Sequence, residues 1–424
     1  MKSQTVWKVA AVGAAAFWLT QGVRWLRGMQ GLPAIHHDAP GAPDTHGNYA
    51  RLAVIVPACN EADAVEEGIT SILGQASDAM LVVAVDDRSA DGTGAALDRL
   101  AASDPRLSVV HVHNLPAGWL GKNHALHQGA RRAAALLGSD RRNAYLLFTD
   151  ADVVYQPGTL SAALRHTVDN DLDHLTLVPH MDVRTFGENV FIAAFMFVFA
   201  IAYRMWEVND PRSDAYIGAG AFNMVRAEAY DRIGGHERLR MDVADDLRLG
   251  ALLRRSGARQ QVAMGTRALT VRWQHSLNGL VRGLEKNAFA GVHYSVPRLI
   301  WGTAGLALLC LPYAGIILAR GWPRLAFAAA LAVYAGLFRE SERQNGPDWR
   351  YFTTLPAGVT LFVWAMWRSA VLCLLRGGIV WRGTFYPLED LREWERQLGG
   401  RMREVEPSAL SATPITDFEA MEQQ

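Results

Sequence analysis

The stretch "YLLFTDADVV", residues 145–154, ends an apolar run with two carboxylates one residue apart, Asp150 and Asp152. Just past a strand end the chain leaves strict alternation, so acids at i and i+2 can face one hard cation. Mg2+ or Mn2+ takes such oxygen donors and completes its shell with water and substrate phosphates. The pair therefore reads as a holder for a metal diphosphate, although a capped turn has the same spelling.

Three further clusters bear on that choice. "VDDRSADGTG" ends a second apolar run at Asp86 and Asp87, whose carboxylates can accept hydrogen bonds from a base or ribose. Asp91 in the same stretch suits the turn and the cap of a following helix. "GWLGKNHAL" places Lys122 after Gly118 and Gly121. Its compact positive charge suits a diphosphate or, as readily, solvent. "RMDVADDLRLGALLRRSG" sets Asp245 and Asp246 at a helix start, where negative charge is stabilised. A neighbouring acid or a metal there can tune a carboxylate into a general base.

The elements that must hold these groups follow from patterning. From residue 51 to about 291, short β-branched runs alternate with helical stretches, which predicts an α/β domain. "LAVIVPA", "MLVVAVDD", "LSVVHVH" and "AYLLFTDAD" read as strands, and "CNEADAVEEGITSILGQ" as an amphipathic helix. A parallel sheet presents its ligand crevice at the carboxyl ends of its strands, where these acids fall.

Apolar content gathers at the two ends of the chain. "VAAVGAAAFWLTQGV", between Lys8 and Arg24, predicts an N-terminal membrane anchor over 1–30; no small-residue cleavage site follows it. Residues 299–319 carry no charge and read as the strongest span. A short run at 325–338 and a longer one at 351–375, which contains Arg368, complete three C-terminal membrane segments within 299–376. "VFIAAFMFVFAIAY", within 190–206, predicts an interfacial or buried helix, because a single crossing would part the acids before it from those after it. Residues 31–50 read as a linker, and 377–424 as an interfacial segment with a mobile tail. The 42 basic and 42 acidic residues cancel, which gives no support to a nucleic-acid partner. Cys59, Cys310 and Cys373 lie too far apart for zinc or redox spacing.

In order and spacing, "VIVPACNEA", "VDDRSADGT", "TDAD" and "ADD" resemble glycosyltransferase family 2, nucleotide-sugar enzymes with the GT-A fold, over residues 51–298. The resemblance implies a Rossmann-like mixed sheet. "GWLGKNHAL", "GAGAFNMVRAEAYDRIGGHE" and "LEKN" look most like the membrane-bound hopene-associated subgroup, with carotenoid-type glycosyltransferases as near neighbours. It further implies that Pro57 and Glu61 bind nucleotide, that Asp86 or Asp87 contacts the base, and that Asp150 with Asp152 holds Mg2+ or Mn2+ and the ribose-diphosphate. Asp246 matches the catalytic base, with Asp245, Gly218 and Gly220 on the acceptor side; a bulge is the plain alternative for the glycines. Lys122 is expected on the donor diphosphate.

Three departures stand out: Arg88 replaces a glycine, Asp245 replaces a glutamate, and no QxxRW occurs, since Leu269 precedes Arg272 and Trp273. The last favours transfer of one sugar over a processive polysaccharide synthase. The expectation is thus an inverting, multi-pass membrane enzyme of bacterial inner-membrane type, its catalytic domain cytoplasmic. It would move a sugar from a nucleotide-diphosphate sugar, UDP-sugar foremost, to a hopanoid or other polyisoprenoid lipid. A catalytically silent membrane scaffold is the rival from another class.

Overall fold

Continuous apolar runs belong to strands buried on both faces, and the runs at 51–58, 80–87 and 144–148 take that form, while the one at 107–112 lies at the sheet edge and is only partly buried. The computed structural model describes residues 2–36, 51–75 and 80–401. It begins with a long helix, α1 (Lys2–Gln30), followed by β1 (Arg51–Ala58), α2 (Val65–Leu73) and β2 (Met80–Asp87). Next come α3 (Thr93–Ser103), β3 (Leu107–Val112), α4 (Gly121–Leu137) and β4 (Ala144–Phe148). β1 pairs in parallel with β2 and β4, and β2 with β3, so the carboxyl ends of β1, β2 and β4 point the same way.

The chain continues through β5 (Val153–Tyr155), α5 (Thr159–Asp169), β6 (His174–Val178), β7 (His180–Met181) and α6 (Phe186–Tyr203). β8 (Asn223–Arg226), α7 (Ala227–Arg232), α8 (Asp245–Arg255), β9 (Gln260–Met264), β10 (Leu269–Val271) and α9 (Leu277–Gly283) follow. The main sheet is mixed, in the order β3-β2-β1-β4-β8-β6-β9, with β8 antiparallel to both its neighbours. A small second sheet, β5-β10-β7, lies beside it. This is the α/β architecture expected from the patterning, with the mixed sheet that the resemblance implied.

The helical part comprises α10 (Val296–Leu309), α11 (Leu311–Leu318), α12 (Trp322–Arg343) and α13 (Leu355–Arg376). It departs from the sequence expectation at two places. The uncharged run over 299–319 is not one straight span: the axis bends by 46° between α10 and α11. Pro312 sits in the first turn of α11; its ring has no N–H to donate and opposes the carbonyl four residues back, so the helix breaks there. The short run at 325–338 lies within a longer helix, since α12 extends over 22 residues. Charges at its ends, Arg324, Arg339, Glu340, Glu342 and Arg343, keep it too polar for a span by composition.

Among the described residues, three helices are long and apolar enough to cross a membrane: Gln4–Gln30, Phe186–Tyr203 and Trp349–Arg376; the bent pair would be a fourth. The middle one, α6, is not a lone crossing. β6 before it and β8 after it are neighbours in one sheet, so the chain leaves and rejoins the sheet on one side. α6 instead lies along α13, where a Cβ on Gly358 would stand 2.4 Å from the Cβ of Ala194. Arg368, the charge inside α13, turns toward the α/β domain and pairs with Glu285 at 2.6 Å. α1 joins the same bundle through Trp18, which meets the Tyr334 ring edge-on at 4.4 Å between centroids.

After α13, residues 378–401 form the hairpin β11 (Gly378–Trp381) and β12 (Thr384–Pro387), then α14 (Leu388–Arg401), which packs against the α/β domain. Trp394 of α14 is buried, and Glu395 pairs with Arg248 of α8 at 3.0 Å. The expected mobile tail beyond residue 401, and most of the 31–50 linker, lie outside the described residues.

Candidate active site

The strand ends and the starts of two helices open into one cavity of about 1570 Å³, lined by Pro57, Glu61, Asp87, Lys122, Asp150, Asp152, Gly218, Gly220, Asp245 and Asp246 among others. Single small-molecule sites typically occupy ~300–1,000 Å³, so this space exceeds what one substrate needs.

Lys122 is the meeting point. It lies in the first turn of α4, with Nζ 2.7 Å from Asp150 Oδ1 and 3.7 Å from Asp245 Oδ2. Burial works against its charge, but Asp150, Asp245 and Asp246 outweigh burial and raise its pKa. It is a fixed cation of the site, not a solvated surface lysine. Burial likewise opposes the charge on Asp150, and Lys122 overrides it, holding that carboxyl below its ordinary value.

Asp152 is different. Among the described residues no cation lies within ion-pair distance of it, and burial, then Asp150 and Glu61, push its pKa up to about 7. An uncompensated carboxylate next to a second acid is the situation that a divalent cation relieves. The donor chemistry fits Mg2+ or Mn2+, since Asp150 and Asp152 both offer hard oxygens. Among the described residues, no group of three or more His, Cys, Asp or Glu side chains encloses a metal site. Water and substrate phosphates would therefore complete the shell.

Asp246 and its neighbours are arranged by Gly218 and Gly220. Asp246 Oδ2 accepts the Gly220 N–H at 2.8 Å, and Oδ1 accepts the Leu247 N–H at 2.8 Å. The Asp150 N–H donates to the Gly220 carbonyl at 2.9 Å. A Cβ on Gly220 would stand 2.5 Å from Asp150 Oδ2, and one on Gly218 only 1.9 Å from the Asp246 carbonyl oxygen. The glycines thus permit close approach to Asp150 and to the backbone of Asp246 within the protein itself. Burial raises the pKa of Asp246 and pushes Asp245 up to about 7. Asp245 is buried against Lys122, while Asp246 is only half-buried and faces the cavity.

The acids at the end of β2 divide. Asp87 lines the cavity and is gripped by Arg88, whose Nε and Nη2 donate at 2.8 and 2.9 Å. Asp86 is absent from the cavity lining; its carboxylate faces His111 Nδ1 at 3.1 Å. Asp91 accepts the Thr93 N–H at 2.9 Å and caps the turn into α3. Glu61, pushed up chiefly by burial, ion-pairs with Arg382.

Sequence reasoning gave no role to Lys286, Trp381, Arg382 or Tyr386, all of which line the cavity. Lys286 sits 3.5 Å over the Trp381 ring, and burial, then Lys122, push its pKa down to about 7. "LEKN" pointed to Lys286 only as part of a resemblance. Away from the acids the cavity turns apolar between α1, α6 and α10, where Gly13, Phe17, Phe195, Phe199, Gly302 and Gly305 line it.

Residues 53–234 match the family model "Glycosyl transferase family 2". A curated relative, "Putative teichuronic acid biosynthesis glycosyltransferase TuaG" of Bacillus subtilis (strain 168), is 33% identical over 89 residues, 21% of this chain. The match spans 35%, about a third, of that relative's length. Among solved structures, the mannosyltransferase PcManGT from Pyrobaculum calidifontis, in complex with GDP-Man and Mn2+, aligns with a TM-score of 0.48 and 22% identity. That alignment covers 86% of this chain and 97% of the other. S. aureus TarS 1-349 in complex with UDP aligns at a TM-score of 0.35 and 14% identity, over 80% and 96% of the two chains.

Proposed function

We propose that this protein is an inverting glycosyltransferase that moves one sugar from a nucleotide-diphosphate sugar to a hydroxyl of a membrane lipid. The observation that carries the reading is the convergence of Asp150, Asp245 and Asp246 on Lys122, inside a cavity whose far half is apolar.

In this reading Asp246 accepts the proton of the acceptor hydroxyl through the carboxylate that Gly220 and Leu247 orient. Burial raises its pKa, which strengthens it as a base. The acceptor oxygen forms a bond to the anomeric carbon as the bond from that carbon to the diphosphate oxygen breaks, and the electron pair leaves with the nucleotide. Lys122 stands where it can neutralise the leaving charge. A divalent ion on Asp150 and Asp152 would supply further neutralisation of the diphosphate. One displacement with one base inverts the anomeric centre.

The apolar end, bounded by helices long enough to cross a membrane, supports a lipid acceptor. UDP-sugar as donor, a hopanoid or polyisoprenoid acceptor, and a catalytic domain on the cytoplasmic face are the narrower forms of the same reading. The test is incubation of membranes holding the full chain with a panel of labelled nucleotide sugars, with and without EDTA. Metal-dependent label on a lipid, one sugar per molecule, is the expected result. A polymer would replace the reading with a processive synthase, and no turnover with any donor would favour a silent scaffold.

A further inference from the structure

The hairpin β11–β12 is tied to the nucleotide side of the cavity at four points. Arg382 pairs with Glu61 and donates to the Asn60 carbonyl at 3.4 Å. Arg88 donates to Thr384 Oγ1 at 3.2 Å, the Gly121 N–H donates to the Tyr386 hydroxyl at 3.1 Å, and Trp381 takes Lys286 on its ring face. These partners belong to the ends of β1 and β2, the start of α4 and the segment after α9, all bordering the donor acids.

The turn itself is unusual. Arg382 and Gly383 connect the two strands, and both have positive φ, 47° and 78°. Two-residue turns of that kind favour Asn-Gly or Asp-Gly, and a long side chain at the first position is disfavoured. An arginine in such a place is explained by what its side chain reaches. The guanidinium is close enough to Asp150 and Lys286 to act on the charge of each. With Lys122 and Lys286 it makes a third cation around the space beside Asp150 and Asp152.

We propose that the hairpin completes the donor site and that Arg382 binds the donor diphosphate, releasing Glu61 as it does so. This rests on the nucleotide-sugar reading above. Glu61 presents a single negative charge, whereas a diphosphate carries two or more, so it can displace the carboxylate from the guanidinium fork. The ion pair with Glu61 keeps the side chain aimed into the cavity until the nucleotide arrives. The hairpin follows α13 directly, so the donor site is closed by the chain emerging from the helical bundle.

The experiment titrates UDP, UMP, GDP and GMP, with Mg2+, into the detergent-solubilised full chain and into Arg382→Gly, which relaxes the left-handed turn while removing the side chain. The expected result is a loss of about tenfold to a hundredfold in affinity for the diphosphate of whichever nucleoside binds. The matching monophosphate and the melting temperature should stay unchanged. Arg382→Lys, which keeps charge without the fork, should recover part of the loss. Unchanged diphosphate affinity in Arg382→Gly, or an equal loss for the monophosphate, overturns the role of Arg382 alone. Failure of the unmodified chain to bind either diphosphate overturns the donor reading and this inference with it.

Discussion

The acid-lined end of the cavity and its apolar end are built by different means. At the first, each group stands at a strand terminus or in a first helical turn, and the register of β1, β2, β4 and β8 sets the spacing between them. At the second, α1, α6 and α10 present small and aromatic side chains whose order follows no motif. Bond making demands placement of reacting groups to a fraction of an ångström, which a hydrogen-bonded sheet provides. Covering a hydrocarbon chain demands only shape and dryness, which packed helices provide.

The sharpest way to break this contrast is Asp246→Asn. It should cut turnover by about a hundredfold to ten-thousandfold with unchanged protein abundance, read as labelled lipid. Substantial residual transfer would remove the base from the acid-lined end. Gly218→Ala is next, because its Cβ would stand 1.9 Å from the Asp246 carbonyl oxygen. A shift of about 1 Å in Asp246 should lower kcat roughly a hundredfold while nucleotide affinity holds. At the apolar end, Gly305→Leu meets open space, with no atom within 4 Å of an added Cβ. It should raise KM for the lipid about tenfold, leaving donor affinity alone; a changed donor affinity would show that the two ends are not separable.

The smallest expected effect concerns stability. His174 and His236 are buried in the catalytic domain, and burial pushes them down to about 4 and about 3. Below about 6.5 the unfolded chain takes up protons that the native imidazoles refuse, so stability falls as pH drops toward those values. The slope is about 1.4 kcal/mol per pH unit for each histidine. Residues 296–376 contain no histidine. Hydrogen exchange at pH 5 against pH 7 should therefore show protection lost in β6 and β8 before α13.

Legibility in the sequence follows the same division. Asp150, Asp152, Asp245, Asp246 and Lys122 were visible because each closes or opens an element whose period is plain, and their order resembled a family. What the glycines touch was not visible: residue type announces close approach but not the partner. Tyr386 reaches Gly121 across 265 positions, and nothing local in "VWRGTFYP" announces that return. The 46° bend at Pro312 was not legible either, because an uncharged run of crossing length reads as continuous whether or not its helix breaks.

Gly220 has a consequence for how such a molecule can change over generations. Its amide steadies one acid, its carbonyl anchors the backbone of another, and its bare face leaves room for that second carboxylate. In the proposed reading, proton acceptance and donor grip share a single hinge pin, so a substitution there disturbs both together. If the apolar wall holds the acceptor as proposed, new acceptors would be accommodated there, where replacements leave that pin untouched.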